Sequence, residues 1–345
     1  MMEFLTQNMF TLITSGVIAI VLLVISADIA VNKLTGLAGY FRLSTTFVGV
    51  TVVSLATSIP EIAAHFTASV GILNGTLDKD ISSAIVLGSN IGSDVIQQTL
   101  IMAIVIFIAG GLTFKRYFLW KTMIPMIVTT LMCIVLGVDG SYSRLDGAIL
   151  FGTFLAYTVF LYFDERKHYK EEDHGFTTEG EVPEGVPTTA KQAWGYALVA
   201  VLAMMVTIFS AMIALQSTEA IVTQTGVGGS LIGVITLGVA SALPELITAI
   251  QGIRKGDAGI PLGTLVGSNI TNPLVAIGGG ALISTYSVPR PLVTWDLPWE
   301  TITGAILWAI LWFGNGKVGK KTAIYLTFLY FFYISMRAIF FSIDY

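Results

Sequence analysis

Charged residues are scarce in this sequence: Lys, Arg, Asp and Glu account for 12% of its 345 residues. A soluble protein usually carries roughly 25%. Apolar residues make up 54%, and the mean hydropathy is +0.80. Because so few charges cannot cover a surface that faces water, most of the outer surface must face lipid. The net charge of -4 is small and the charges are spread along the chain. The sequence therefore shows no basic patch, and nucleic acid is not expected as a partner.

Cysteine and histidine are also nearly absent. Cys133 is the single cysteine and cannot form an intrachain disulfide, and the three histidines are too scattered for a His-based metal site. The sequence contains no nucleophile–base pair or metal-hydrolase motif, so we expect neither an enzyme nor a covalent cofactor. Residues 1–10 contain no Lys or Arg and precede an apolar run long enough to span, which argues against a cleavable signal peptide.

Long apolar runs are abundant. Crossing a bilayer core of about 30 Å takes about 20 residues of helix. By this measure we predict an all-α membrane protein with ten transmembrane helices, called spans 1 to 10 below. The spans cover residues 10–33, 44–73, 81–109, 118–138, 146–163, 193–216, 229–253, 258–285, 299–314 and 322–342.

The basic residues indicate the orientation of these spans. If both termini lie outside, all but four of the 18 Lys and Arg residues fall on the inside, as the positive-inside rule expects. The four outside residues are Lys79, Arg144, Arg290 and Arg337. We further expect a monomer in the plasma (inner) membrane of a prokaryote.

A polar segment divides the chain. Residues 164–191 separate a first transmembrane repeat, residues 1–163, from a second, residues 192–345. The segment is rich in acids and reads as a flexible cytoplasmic linker. A regulatory calcium site in it is the less favoured interpretation, because its acids show no regular ligand spacing. The acids considered for that role are Glu171, Glu172 and Asp173.

Two motifs occur once in each half, in the same order. Val53–Ile62 reads VSLATSIPEI and Gly238–Leu246 reads GVASALPEL, while Val86–Asp94 reads VLGSNIGSD and Leu265–Asn272 reads LVGSNITN. Each half holds five spans, and two parallel copies of an odd number of spans must lie upside down relative to each other. The sequence therefore predicts two inverted five-helix repeats, the architecture of secondary transporters with a substrate site at the midplane.

Pro60 and Pro244 lie in the middle of spans 2 and 7 and predict a break in each helix. Proline removes a backbone donor and clashes with the carbonyl four residues earlier. Carbonyls freed at the membrane centre must find protein, water or a bound ion as a partner. Polar groups share one helix face beside each proline. These groups are Ser54, Thr57 and Glu61 in span 2, and Gly238, Ser241 and Glu245 in span 7.

Spans 3 and 8 add a second set of polar positions. Ser89 and Ser93 are four residues apart, as are Ser268 and Asn272, so each pair shares a helix face. A glycine before each GSN serine would let these spans approach spans 2 and 7 closely. We assign the asparagine of each GSN motif to hydrogen bonding with the broken-helix backbone. The residues given a structural or hinge role are Pro60, Pro244, Gly88, Gly267, Asn90 and Asn269.

The assembled site would offer oxygen ligands only, which is the chemistry of a hard cation such as calcium. The two carboxylates of Glu61 and Glu245 balance one divalent ion. An uncompensated charge at the membrane centre costs at least ~3 kcal/mol, so both groups need cations or protons at every stage. That requirement is itself an exchange mechanism. The competing interpretations are structural buried acids, prolines that kink helices for packing only, and GSN motifs that pack without ligation.

Three other polar residues in the spans carry weaker signals. Asp28 and Glu219 lie near the ends of spans 1 and 6 in similar contexts, and could line an access path or sit at the headgroups. His65 lies one turn after Glu61 and could move protons, although a packed neutral histidine is the favoured interpretation.

The sequence resembles the calcium:cation antiporter superfamily, in particular its sodium/calcium exchanger branch. Residues 56–61 and 240–245 match the family motif G-T-S-[LI]-P-E, and residues 88–90 and 267–269 match GSN. The resemblance implies that Glu61 and Glu245 bind Ca²⁺ and that spans 1 and 6 slide against the other eight. It also implies that Ca²⁺ leaves as Na⁺ enters. By the same resemblance Thr57 and Ser241 give backbone carbonyls to Ca²⁺, while Ser54, Ser58, Ser89, Ser268 and the carbonyl near Gly238 line sodium sites.

The site departs from the family pattern at three positions. Ala242 stands where the family usually has Ser, Ser93 where Asn or Asp is usual, and Asn272 where Asp is common. Asp94, next to Ser93, could compensate only if span 3 is locally rotated. Fewer sodium ligands favour a lower stoichiometry or a proton as counter-ion. A Ca²⁺/H⁺ antiporter of the same fold is therefore the closest alternative, and a cation channel is the alternative from another class.

Overall fold

The computed structural model describes residues 8–40, 54–114, 116–168, 186–254 and 259–344, which are helical over most of their length. Within those ranges, seven helices are long and apolar enough to cross a membrane. They run over Met9–Leu34, Lys79–Ala109, Leu119–Gly137, Arg144–Asp164, Ala190–Thr225, Gly229–Arg254 and Lys320–Phe340. The all-α membrane protein is confirmed at this level, while the ten spans and their inversion stay predictions.

The helices of the first half extend further than predicted at two ends. They are α1 (Met9–Tyr40), α2 (Ser54–Thr57), α3 (Ile59–Leu73), α4 (Lys79–Ile96), α5 (Met102–Ala109), α6 (Arg116–Phe118), α7 (Ile124–Gly137) and α8 (Arg144–His168). Wider π-helical turns at Gln97–Ile101 and Leu119–Met123 join α4 to α5 and α6 to α7. α1 continues past the predicted end at residue 33, and α8 continues into the predicted linker. Residues 44–53 of span 2 lie outside the described residues.

The second half contains a similar series of helices. They are α9 (Ala190–Thr225), α10 (Gly229–Ile235), α11 (Leu237–Ser241), α12 (Leu243–Arg254), α13 (Gly259–Thr271), α14 (Gly278–Ser284), α15 (Leu297–Phe313) and α16 (Lys320–Phe340). π-helical turns at Asn272–Ile277 and Leu292–Asp296 follow α13 and precede α15. The acids at 171–173 of the predicted linker lie outside the described residues.

The ends of several helices follow from local sequence. Asp78 caps α4 by accepting a hydrogen bond from the backbone N–H of Ile81 at 2.9 Å. Gly110 ends α5 with φ +72° and Gly226 ends α9 with φ +71°, a left-handed conformation that favours glycine. These caps fix where the chain leaves each helix and turns back.

α1 and α9 form a long antiparallel pair. Their 32 and 36 residues correspond to roughly 48 and 54 Å, more than the bilayer core of about 30 Å, so the helices must tilt or project from it. Ser15 Oγ lies 3.1 Å from Ser217 Oγ, and Ser26 Oγ lies 2.8 Å from Thr207 Oγ1. The first helix of each half therefore runs in the opposite direction to its counterpart.

Two short antiparallel ribbons connect the halves. β1 (Leu112–Thr113) pairs with β4 (Lys317–Val318), and β2 (Ser141–Tyr142) pairs with β3 (Tyr286–Ser287). β1 follows α5 and β3 follows α14, while β2 precedes α8 and β4 precedes α16. A twofold rotation that exchanged the halves would carry β1 onto β3 and β2 onto β4, and would thus exchange the two ribbons.

Glycines bring α4 and α10 into backbone contact. A Cβ added at Gly88 would lie 2.2 Å from the carbonyl oxygen of Ser230, and one added at Gly233 would lie 2.2 Å from that of Ile85. Neither position leaves room for a methyl group. Gly88 therefore lies in close backbone contact with α10, the helix that follows α9.

We expect Gly88→Ala to destabilise the protein by about 1–3 kcal/mol, because α4 and α10 must move apart to admit the methyl group. A thermal unfolding scan of the detergent-purified protein measures the effect. Gly152→Ala is the matched control, since Gly152 is exposed on α8 and its added Cβ meets nothing within 4 Å. Equal unfolding temperatures for the two variants would contradict the packing argument.

Candidate cation site

The chain is broken at equivalent points in its two halves. α2 ends at Thr57, Ser58 forms a turn, and α3 begins at Ile59 with Pro60 in its first turn. In the second half α11 ends at Ser241, Ala242 forms the turn, and α12 begins directly before Pro244. Proline has no N–H, so the carbonyl four residues earlier loses its helical donor. In the second half that carbonyl belongs to Ala240 and accepts the N–H of Ala242 instead. Each break lies directly before a glutamate.

Glu61 and Glu245 are both buried and lie close enough for their charges to interact. Ser93 Oγ donates a hydrogen bond of 2.7 Å to Glu61 Oε1, and Ser268 Oγ donates one of 3.2 Å to Glu245 Oε1. The other oxygen, Oε2, of each glutamate is buried and has no hydrogen-bond partner among the described residues. Buried polar atoms are nearly always paired, so two such oxygens on symmetric residues can accept a cation or a proton.

Each glutamate is approached by hydroxyls from both halves. Ser241 of the second half lies near Glu61, and Thr57 of the first half lies near Glu245. Thr57 Oγ1 is also 3.2 Å from Ser268 Oγ. The same relation therefore appears twice, with the halves exchanged, which is what a site on a pseudo-twofold axis requires.

The remaining predicted ligands are all buried, and they differ in their contacts. Ser54 Oγ lies 2.9 Å from Thr271 Oγ1, and Ser58 Oγ has no partner among the described residues. Ser89 is buried on α4, where its carbonyl lies 2.8 Å from a Cβ added at Gly238. The described contacts thus leave the Ser58 hydroxyl free to bind an ion.

Asp94 and Asn272 contact each other rather than the glutamates. Asn272 Nδ2 donates a hydrogen bond of 2.6 Å to Asp94 Oδ1, and both residues are buried. Asn272 Oδ1 has no partner among the described residues. Ser93, one residue before Asp94, takes the contact with Glu61, so Asp94 stands beside the two-glutamate site.

The residues given structural roles make mostly backbone and amide contacts. Asn90 Nδ2 donates to the carbonyl of Asn272 at 3.3 Å, where the π-helical turn begins. Asn269 Nδ2 donates to the carbonyl of Leu265 at 2.8 Å, on its own helix. Gly267 is buried in α13. These contacts hold the polar segments of α4 and α13 in place.

The donor set of the site is oxygen throughout. It offers two carboxylates, hydroxyls and main-chain carbonyls, which suits a hard cation. Within the described ranges there is no cluster of three or more His, Cys, Asp or Glu side chains that could hold a metal ion.

A polar network lies beyond the glutamates, and most of its residues were not predicted from the sequence. Gln98 Nε2 donates to Asn269 Oδ1 at 2.7 Å and to Glu300 Oε1 at 3.4 Å, and Thr130 Oγ1 donates to Glu300 Oε1 at 2.9 Å. The glutamine follows the first GSN motif. Glu300 and Thr130 belong to neither of the repeated motifs, so no spacing could link them to the site.

Arg337 is one of the four basic residues counted on the outside, and the structure buries its side chain inside the protein. The side chain is 0% exposed and pairs with Asp296, with Nε 2.9 Å from Oδ2. Tyr333 donates to the same carboxylate at 2.7 Å, and Arg337 also donates to Ser230 Oγ. The positive-inside count assumed that a basic residue near a helix end faces water. A buried acid on the neighbouring helix removes that assumption.

The three weaker candidates lie apart from the site. Glu219 accepts hydrogen bonds from the backbone N–H of Asp78 at 2.9 Å and from Ser82 Oγ at 3.3 Å, so it joins α9 to the start of α4. Asp28 contacts Asn32 on its own helix. His65 is buried, and its Nδ1 lies 3.1 Å from the hydroxyl of Tyr286, which agrees with a packed histidine.

Comparison with known proteins identifies the family. A family model described as sodium/calcium exchanger protein matches residues 12–163 and 195–338. These stretches make up most of the chain, which therefore belongs to the sodium/calcium exchanger protein family, one of the calcium:cation antiporters. The resemblance inferred from the motifs is confirmed. Exchangers of this family are membrane transporters, not enzymes.

Individual relatives agree with this assignment. Inner membrane protein YrbG of Escherichia coli (strain K12) is 24% identical over 315 residues, which is 90% of this chain and 92% of that protein. The sodium-calcium exchanger NCX_Mj, soaked with Na⁺ and Sr²⁺, superposes with TM-score 0.62 at 19% identity, covering 95% of this chain and 99% of that one. The H⁺/Ca²⁺ exchanger CAX superposes with TM-score 0.73 at 15% identity, covering 95% and 86%. Both structural likenesses show a shared fold.

Proposed function

We propose that this protein exports Ca²⁺ in exchange for Na⁺ by alternating access, through a midplane site between Glu61 and Glu245. The observation that carries the proposal is the symmetry of the two glutamates. Each lies just after a proline-linked break, receives a serine hydroxyl on one oxygen, and has its second oxygen unpartnered among the described residues. Two carboxylates balance one divalent ion, and the all-oxygen donor set suits Ca²⁺.

The neutral oxygens around the glutamates have two proposed roles. Thr57 and Ser241 supply carbonyls to Ca²⁺ at the ends of α2 and α11, where the helical ladder is interrupted. The remaining hydroxyl and amide groups line the paths and sites of the counter-ion. These groups are Ser54, Ser58, Ser89, Ser268, Ser93, Asn272 and, beside them, Asp94.

Ten transmembrane helices in two inverted repeats complete the proposal. The equivalent breaks, the antiparallel α1 and α9, and the exchange relation of the two ribbons support it. So does the match of the family model to two separate stretches. Residues 1–163 and 192–345 are the repeats and residues 164–191 the cytoplasmic linker. We place the monomeric protein in the inner membrane of a prokaryote with both termini outside.

Charge supplies the coupling in this mechanism. Two bare carboxylates at the membrane centre would each cost at least ~3 kcal/mol, so the site changes sides only when cations or protons neutralise it. Sliding of the α1–α9 pair against the other helices opens the site to one side at a time. The pair is suited to this because hydroxyl contacts and many small residues join its two helices to each other.

A proton is the alternative counter-ion, and one observation favours it. Ser58 in the first half presents a free buried hydroxyl, but its counterpart Ala242 is buried and presents none. One of two equivalent oxygen ligands for Na⁺ is therefore missing. A carboxylate pair that takes up protons instead needs no such ligand.

We expect a Na⁺ gradient imposed on proteoliposomes to drive Ca²⁺ movement, and a pH gradient alone to drive little. Ca²⁺ flux measured with each gradient separately checks this.

Ala242→Ser restores the missing hydroxyl, and we expect it to lower the Na⁺ concentration for half-maximal exchange about five-fold, the effect of one added polar contact.

Three results would contradict parts of the hypothesis that Na⁺ is the counter-ion. Ca²⁺ flux driven by the pH gradient and not by Na⁺ would establish the Ca²⁺/H⁺ antiporter instead. Ca²⁺ flux that needs neither gradient and does not saturate would indicate a channel. An unchanged Na⁺ response in Ala242→Ser would remove that position from the set of ligands.

A further inference from the structure

A cavity opens on the surface between the start of the π-helical turn at Leu292–Asp296 and the end of α16. Its volume is about 560 Å³, within the roughly 300–1,000 Å³ of ordinary ligand sites. One wall is formed by Arg290, Pro291 and Thr294, and the other by residues 339–343. None of these residues belongs to the proposed cation site, so the cavity needs a separate explanation.

The cavity lies at the level of the membrane boundary. α16 is long and apolar enough to cross a membrane, and its 21 residues correspond to ~32 Å, about the thickness of the bilayer core. The cavity is at the C-terminal end of this helix. Next to it the rings of Trp295 and Phe341 stack with centroids 5.2 Å apart, and tryptophan is enriched at the lipid–water interface. An occupant of the cavity therefore meets both headgroups and hydrocarbon.

The polar part of the cavity carries a positive charge. Arg290 is exposed, and its guanidinium has no hydrogen-bond or ion-pair partner among the described residues. The described residues of the lining include no Asp or Glu, so they offer nothing to pair with the ammonium group of a zwitterionic headgroup. Arginine binds phosphate groups through charge-assisted hydrogen bonds. This part of the cavity therefore suits a phosphate with a net negative charge.

The opposite wall of the cavity is apolar. Ile339 and Phe340 are each 67% exposed, and Ile343 is 46% exposed. Covering such side chains with hydrocarbon is favourable by about 25 cal/mol per Å² of apolar surface. A free phosphate would contact Arg290 and leave this wall uncovered. A phospholipid instead brings a phosphate and an acyl chain together, which matches both walls at once.

We propose that this cavity binds a phospholipid whose headgroup is negatively charged, such as phosphatidylglycerol. The phosphate accepts hydrogen bonds from the Arg290 guanidinium, and one acyl chain lies along Ile339, Phe340 and Ile343. Because the described lining offers one positive charge and no carboxylate, the anionic headgroup is preferred over a zwitterionic one. The site is separate from Glu61 and Glu245, so lipid binding does not depend on which ions are exchanged.

Lipid titrations followed by native mass spectrometry test this inference. The full-length protein, purified in a neutral detergent, is titrated with palmitoyl-oleoyl phosphatidylglycerol or with phosphatidylcholine of the same chains. We expect phosphatidylglycerol to bind more tightly than phosphatidylcholine. Arg290→Gln should weaken phosphatidylglycerol binding about five-fold, the effect of one basic residue at an anionic membrane surface. Arg290→Lys keeps the charge and should retain most of the preference.

Arg144→Gln is the matched control, since Arg144 is also exposed and lies outside the cavity. It should bind phosphatidylglycerol as the unmodified protein does. An unchanged affinity in Arg290→Gln, an equal loss in Arg144→Gln, or equal binding of both lipids by the unmodified protein overturns the site. Glycerol 3-phosphate, which has no acyl chain, should not displace the lipid. Displacement would indicate a site for a soluble phosphate and would likewise overturn the proposal.

Discussion

Glu61→Gln and Glu245→Gln are each expected to lower Ca²⁺ transport by at least about 100-fold. The substitution keeps the shape of the side chain and its serine contact, but it removes one of the two charges that balance Ca²⁺. A loss of at least ~3 kcal/mol of charge compensation at the membrane centre corresponds to that factor. The rate of Ca²⁺ uptake into proteoliposomes, driven by an imposed Na⁺ gradient, measures this loss.

The control for this experiment is an acid that lies away from the site. Asp139 is exposed in the loop after α7, where it accepts hydrogen bonds from Ser141, and Asp139→Asn should transport normally. Unfolding scans of each variant separate a transport defect from a folding defect. Robust Ca²⁺ exchange by either glutamine variant would refute the two-glutamate site.

Arg337→Met is expected to destabilise the protein by about 3–5 kcal/mol. It leaves the Asp296 carboxylate buried without its cation, and removing one partner of a buried ion pair has a cost of that order. The loss also reaches α10, because Arg337 contacts Ser230, whose backbone N–H is held by Asp344 at 3.0 Å. Thermal and denaturant unfolding of the purified protein measure the change.

A double variant shows whether the ion pair is responsible. Asp296→Asn combined with Arg337→Met removes both charges, and we expect it to be more stable than Arg337→Met alone. Lys321→Met, an exposed position on the same helix, should change stability by less than about 0.5 kcal/mol. Equal unfolding of Arg337→Met and Lys321→Met would show that the pair contributes nothing.

Repetition made part of this protein readable from sequence. The PE dipeptide and the GSN motif occur in both halves in the same order, and the family match confirms the resemblance they carry. Apolar runs of helical length likewise predicted a helical membrane protein. These features are local in sequence, so they can be recognised without knowing which residues are in contact in the folded protein.

Residues that act alone escaped sequence reasoning. Glu300 and Thr130 belong to neither repeated motif, and Gln98 has no counterpart at the matching place after the second GSN motif. Arg337 was placed by a rule that treats a basic residue near a helix end as water-facing. In each case the partner lies 41 or more positions away along the chain, and Glu300 and Thr130 are 170 positions apart.

The sequence by itself determined the family, the helical membrane character and the glutamates that the two halves share. Those properties follow from hydropathy and from motifs that repeat, both of which are local. The tertiary structure alone decided which groups face the glutamates, that Ser93 rather than Asp94 contacts Glu61, and that Arg337 is buried against Asp296. Such contacts depend on how distant helices cross, and packing in three dimensions sets that crossing.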